Sequence, residues 1–232
     1  MKTPHIDKGL IILYFAAGLS YILIDNYFPG NTSLVIKTGI LPILIILFLN
    51  NVRFSENRTH LIMLAGLFFS WAGDVVLELN GRIGGLFVAG LACFLLAHIM
   101  YFTVFVLTPG RNVILSKRWY LLIPLIITGL LLTSYLYKDL NEMRLPVILY
   151  AAVILTMVAG AINRIEKVNL QSFRIVLAGA ILFVFSDASI AVNKFSHPFK
   201  ASGFVIMLTY IIAQYLIVTG YLRQFRTEYN RP

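Results

Sequence analysis

The chain has 232 residues, 59% of them hydrophobic and only 12% charged, with a mean hydropathy of +0.84. One soluble core of this length needs far less apolar material, so the composition excludes an ordinary soluble domain and indicates a polytopic membrane protein. The formal charge of +9 does not point to nucleic acid, because the 19 Lys and Arg residues are dispersed between apolar stretches rather than gathered in one aromatic-laced patch.

A window of about 19 residues predicts an all-α membrane bundle of eight transmembrane helices. They run roughly from Gly9 to Ile24, Leu34 to Leu49, Leu61 to Leu79, Ile83 to Leu107, Trp119 to Tyr137, Leu145 to Ile162, Phe173 to Val192 and Gly203 to Leu222. The basic start before Leu10 to Leu23 resembles a signal peptide, but no small-residue cleavage pattern follows before Asp25, so the stretch is read as a retained first helix. The first two spans are short for a bilayer of about 30 Å, and Pro42 and Pro124 are expected to kink the second and fifth without ending them. Cys93 is the single cysteine; it excludes a disulfide framework and a Cys-based metal site within one chain and reads as a small core residue. Connections are short and none resembles a linker, so one domain is expected over residues 1–232.

Topology follows from the basic residues. Thirteen Lys and Arg fall on the side that holds both termini and six on the other, which predicts cytoplasmic termini. The other side carries Lys37, Arg82, Lys138, Arg144, Lys194 and Lys200.

Two aspartates interrupt otherwise apolar spans, Asp74 in the third and Asp187 in the seventh. A carboxylate in hydrocarbon costs kilocalories unless it faces a partner or a hydrated cavity, so both read as functional. Gly66 and Gly179 each stand eight residues upstream of one of them, and Phe94 to His98 aligns with Tyr210 to Gln214. A four-plus-four duplication would explain the matches, as would the compositional likeness of apolar helices. Each aspartate is expected about 7 to 8 Å from the non-cytoplasmic end of its helix, an equal depth that permits the two to meet.

Ser70, Asp74 and Glu78 share a helix face at i, i+4, i+8. Glu78, near the end of its span, is either solvated or part of a site. Ser186, Ser189 and Asn193 flank Asp187, and the serines are equally able to bond a carbonyl of their own helix. His98 is the histidine placed within a span, with Tyr101 one turn further on the same face; it could carry a proton, orient a carboxylate or pack. With the fourth helix starting between Ile83 and Leu86, His98 would lie about 18 to 22 Å from the outer end, well beneath Asp74.

The chain lacks Gly-x-Ser-x-Gly, Gly-x-x-x-x-Gly-Lys-Ser/Thr, His-Glu-x-x-His and Gly-x-Gly-x-x-Gly, which argues against serine hydrolases, nucleotide enzymes and zincins. With one embedded His and no Cys pair, no metal and no cofactor are expected.

At Gly73 to Leu77, Phe94 to Tyr101 and Gly179 to Asp187, in that order and spacing, the chain resembles the lysoplasmalogenase, or YhhN-like, family of integral membrane proteins over nearly its whole length. The resemblance implies eight helices, residence in a membrane, expected to be a bacterial inner membrane, and hydrolysis of the vinyl ether bond of lysoplasmalogens to a fatty aldehyde and a glycerophospho-alcohol. The expected partners are a lysophospholipid substrate and membrane lipids. The residues suit that chemistry independently: one carboxyl kept protonated by burial donates a proton to the alkene, and a second, ionised one faces the resulting oxocarbenium ion, as in a glycosidase pair. The candidate site is then Asp74, Asp187 and His98, with Tyr101, Ser70, Ser186, Asn193, Arg82 and Lys194 toward the substrate. Arg82, Lys194 and Lys200 could hold its phosphate or serve as ordinary juxtamembrane cations. The alternative is a proton-coupled transporter, for which embedded carboxylates are equally expected.

Overall fold

The computed structural model describes residues 7–27, 31–55, 57–110 and 117–226. Among these, eight α-helices follow one another: α1 (Lys8–Tyr27), α2 (Asn31–Leu49), α3 (Thr59–Ile83), α4 (Phe87–Val106), α5 (Ile123–Leu136), α6 (Arg144–Ile162), α7 (Leu170–Ala191) and α8 (Ser202–Arg226). Seven spans are long and apolar enough to cross a bilayer, and α1 adds the shorter apolar stretch Lys8–Ile24. Of the basic residues that set the expected topology, Lys2, Arg111 and Arg231 lie outside the described residues.

Three boundaries differ from the sequence reading. First, α3 continues past Leu79 to Ile83, and α4 starts only at Phe87. Gly84 and Gly85 between them take φ of 70° and 74°, a left-handed pair that ends the helix where the hydropathy window ran straight through. Second, Pro124 does not kink the fifth helix; it sits in the first turn of α5, where its missing N–H is harmless, behind a 3₁₀ turn at Trp119–Leu122. Pro42, by contrast, lies inside a continuous α2. Third, α7 runs on into a π-helical turn at Val192–Ser196.

The described residues divide into two compact units: the first holds those up to Val104 together with Phe225 and Arg226, and the second is Phe105–Gln224. In the first unit α2 packs on α1 and α3. Small residues let α3 and α4 approach closely: a Cβ on Gly66 would meet the Tyr101 ring at 2.6 Å, and one on Gly73 the Phe94 ring at 2.7 Å. Without a hydrophobic driving force in lipid, such close packing is what holds helices together. Cys93, on α4, is half-buried rather than a core residue.

In the second unit Gly179 does for α7 what Gly66 does for α3, since its Cβ would lie 2.9 Å from both the Ala213 carbonyl and the Ile217 amide of α8. At the other end of the unit Arg164, fully buried just after α6, donates through Nη2 to Ser172 Oγ at 3.0 Å and Gln224 Oε1 at 3.1 Å, with the Phe105 ring 5.5 Å from its guanidinium carbon. Ser172 Oγ in turn donates to the Gly220 carbonyl, while Asn169 caps α7 and reaches the Arg223 carbonyl. Burial pulls the Arg164 guanidinium down to about 10, so it stays charged at neutral pH. Helix α5 exposes Ile126, Leu130 and Leu131, as a lipid-facing helix does, whereas α8 is the most buried span.

Candidate functional site

Asp74 lies nine residues before the end of α3, so it is about 13 Å from that end at roughly 1.5 Å per residue, deeper than the sequence suggested. The late start of α4 puts His98 about 17 Å from the same edge, which removes most of the expected depth difference. Both side chains are buried, Asp74 at 4% exposure and His98 at 0%. Ser70 Oγ stands 3.4 Å from Tyr101 Oη, and Tyr14 of α1 is within electrostatic reach of both Asp74 and Tyr101. The first unit holds Ser70, Asp74 and Tyr101 together with Tyr14, fully buried, which the sequence reading missed, whereas Asp187, expected to meet Asp74, belongs to the second unit.

One turn above Asp74 the solvated reading of Glu78 is overturned. Its Oε2 accepts from Tyr21 Oη and Lys37 Nζ, both at 3.2 Å, and Arg82 Nη2 lies 3.8 Å from its Oε1. Arg82 Nη1 donates to Asn31 Oδ1 at 2.7 Å. The end of α3 stays helical among charges because these partners satisfy them.

Asp187 occupies the second unit, nine residues before Ser196. Tyr150 of α6 donates to its Oδ2 at 2.5 Å. The pair lines a small groove of about 40 Å³ between α5, α6 and α7, together with Gly129, Leu132, Leu136, Ile154, Val184 and other apolar or small residues, with Thr128 and Thr133 as its remaining hydroxyls. Leu136, Val147 and Leu140 close one end as a small core against Met143 and Phe195.

The flanking polar residues separate by role. Ser189 Oγ bonds the Phe185 carbonyl of its own helix, as one reading had it, but Ser186 Oγ crosses to the Ile206 carbonyl of α8 at 3.0 Å. Asn193 Oδ1 accepts the Phe199 N–H and so shapes the turn after α7, where Lys194 and Lys200 are exposed. Tyr150 escaped the sequence reading, although a signal was present: after Arg144 at the start of α6, Tyr150 and Thr156 are its polar side chains.

The relatives of this chain carry matching descriptions. Bovine lysoplasmalogenase TMEM86A is 35% identical over 156 residues, 66% of this chain and 61% of that relative, so that alignment spans about three fifths of the bovine protein. Rat lysoplasmalogenase TMEM86B is 30% identical over 226 residues, covering 96% of this chain and 88% of the relative, and the pig protein of the same name is 30% identical over 215 residues, covering 92% and 86%. No solved structure matches. The YhhN family model matches residues 32–221, most of the chain, so the chain belongs to the YhhN family.

Proposed function

We infer that this protein is a membrane-embedded hydrolase that cleaves the vinyl ether bond of lysoplasmalogens, the activity named for its relatives. The observation that carries this reading is a carboxylate, Asp187, held by a phenol at the mouth of an apolar groove inside a membrane span. A single-chain lipid presents the same combination, a hydrocarbon tail joined to one polar bond.

The reaction adds one water across the alkenyl ether. A proton goes to the terminal alkene carbon, the resulting oxocarbenium ion takes up water to give a hemiacetal, and the hemiacetal collapses to an aldehyde and the glycerol hydroxyl. Asp74, buried beside the Tyr14 and Tyr101 phenols, is assigned the proton donation. Asp187, which accepts the Tyr150 phenol hydrogen bond, is assigned the part of the second carboxyl, to face the cation and orient water. Ser70 and Tyr101 belong to the acid's setting, and His98, one turn from Tyr101 on α4, is the proton relay toward it.

Two expected outcomes test this reading. Purified protein offered matched 1-alkenyl and 1-acyl lysolipids releases aldehyde faster than fatty acid, because an acid pair suits an alkene and the chain carries no nucleophile motif for ester hydrolysis; faster fatty-acid release defeats it. The basic-residue bias is the support for cytoplasmic termini, and on this reading reporters at either terminus read cytoplasmic while reporters inserted at residues 84–85 or 197–201 read the opposite side. Termini on opposite sides would rule out eight crossings.

A further inference from the structure

We propose that the seam between α5 and α7 is the lateral entry by which a single-chain ether lipid reaches Asp187 from the bilayer, with the contact of Tyr135 and His197 as its clasp. The choice of lipid rests on the hydrolase reading. At about 40 Å³ the groove beside Asp187 has room for a water and none for a lysolipid, since sites for small molecules run to about 300 to 1,000 Å³. An element must therefore move before substrate can bind. Helix α5 is the one between the groove and the lipid: it turns Gly129, Leu132 and Thr133 to the groove and leaves Ile126, Leu130 and Leu131 exposed. The α7 side of the seam is the stripe Val184, Asp187, Ala188 and Ala191.

What holds α5 in place is unevenly distributed. Among the described residues its side chains make one hydrogen bond outside the helix: Tyr135 Oη lies 3.1 Å from His197 Nδ1, with the two rings stacked at 6.3 Å between centroids. Thr128 and Thr133 bond carbonyls of α5 itself. His197 follows the π-helical turn that continues α7, and Ser196 Oγ approaches the same ring nitrogen to 2.7 Å. Toward α6 the attachment is different. Leu136 and Leu140 pack with Val147, and at the other end Arg118 Nη2 and Glu166 Oε1, 2.6 Å apart, tie the segment ahead of α5 to the turn after α6. The joint that can part is thus the one with α7, where Asp187 stands. A lipid tail is as apolar as the side chains it replaces, so opening the seam to the bilayer sacrifices little besides the contact of Tyr135 with His197.

The test follows entry rather than turnover. A saturated 1-O-alkyl-glycerophosphoethanolamine, which has no vinyl ether to cleave, carries a diazirine in its chain near the ether oxygen. It is mixed with protein in nanodiscs and flashed after set intervals, and its adducts are mapped by mass spectrometry. Wild type acquires them at Val184 and Ala188, inside the seam, as well as at the lipid-facing Ile181 and Phe185 of the same helix. In a Cys93→Ser background, Tyr135→Cys and His197→Cys bridged by a bis-maleimide slow the labelling of Val184 and Ala188 at least about tenfold, as blocking a gating motion does, and leave Ile181 and Phe185 unchanged. Capping the two cysteines separately does not slow it, and the same bridge between Arg118→Cys and Glu166→Cys, on the α6 side, leaves all four positions unchanged. Tyr135→Phe keeps the ring and removes the bond. It raises both the rate of labelling and the rate of its loss on chase with unlabelled lipid by about 2- to 10-fold, the range of one hydrogen bond, so affinity stays level, a result that a merely structural contact would not give. Undiminished labelling of Val184 and Ala188 in the protein bridged between 135 and 197, or labelling of Ile181 and Phe185 alone in wild type, overturns the entry, and unchanged rates in Tyr135→Phe overturn the clasp. Gated labelling without aldehyde release from the 1-alkenyl lipid would instead count against the hydrolase reading alone.

Discussion

Asp74→Asn and Asp187→Asn are each expected to abolish aldehyde release from a 1-alkenyl lysolipid while leaving the protein folded. An amide keeps the size of the carboxyl and part of its hydrogen bonding. It can neither deliver the proton that Asp74 supplies nor hold the charge that Asp187 presents to the oxocarbenium ion. General acid catalysis alone contributes about 10²- to 10⁴-fold, so turnover in either mutant falls at least into that range. Stability does not follow it down, since removing an ionisable group from a span relieves an insertion penalty of about 2.5 to 3.5 kcal/mol. The measurement is turnover at matched yield and melting temperature. If either variant retained more than about a tenth of wild-type turnover, short of the general-acid range, the two-carboxyl mechanism would fail.

Tyr150→Phe has the next largest expected effect. The change deletes one oxygen and the 2.5 Å hydrogen bond to Asp187 Oδ2, and leaves the ring in the groove wall. A hydrogen bond to a charged group contributes about 1.5 to 3 kcal/mol, which converts to a loss of about 10- to 100-fold if the bond organises the carboxylate for the transition state. The loss is expected in kcat rather than KM, because the phenol holds the catalytic carboxylate and the aliphatic groove is unchanged. A rise in KM alone would make Tyr150 a wall residue of the tail groove, with no part in the chemistry.

The contrast between Asp187 and Tyr150 explains what could be read from the sequence. A carboxylate in an apolar span is costly whatever surrounds it, so Asp74 and Asp187 announce themselves without a structure. A phenol is cheap there; Tyr14 and Tyr150 become informative only once the rotation of α1 and α6 about their axes is known. The same limit applies to charge. Arg164 and Lys37 enter a topology count as equals of any loop cation, yet one is fully buried and the other is bonded to Glu78. Helix number was legible because hydropathy is a sum over many residues. The α3–α4 boundary was not, because Ile83 and Leu86 kept the window apolar across a turn made by Gly84 and Gly85, and the depths of Asp74 and His98 shifted with it.

Arg164 also bears on the order in which the second unit can be completed. Its hydrogen-bond partners come from elements made later in synthesis: Ser172 on α7 and Gln224 near the end of α8. Until α8 has docked, the guanidinium has neither its amide nor the Gly220-bound hydroxyl in place, and it must remain among lipid headgroups and water. Docking of the final helix and dehydration of this cation are thus one event, so a chain shortened before α8 keeps a hydrated arginine where the finished protein has a dry joint. The last helix acts as the closing latch of assembly.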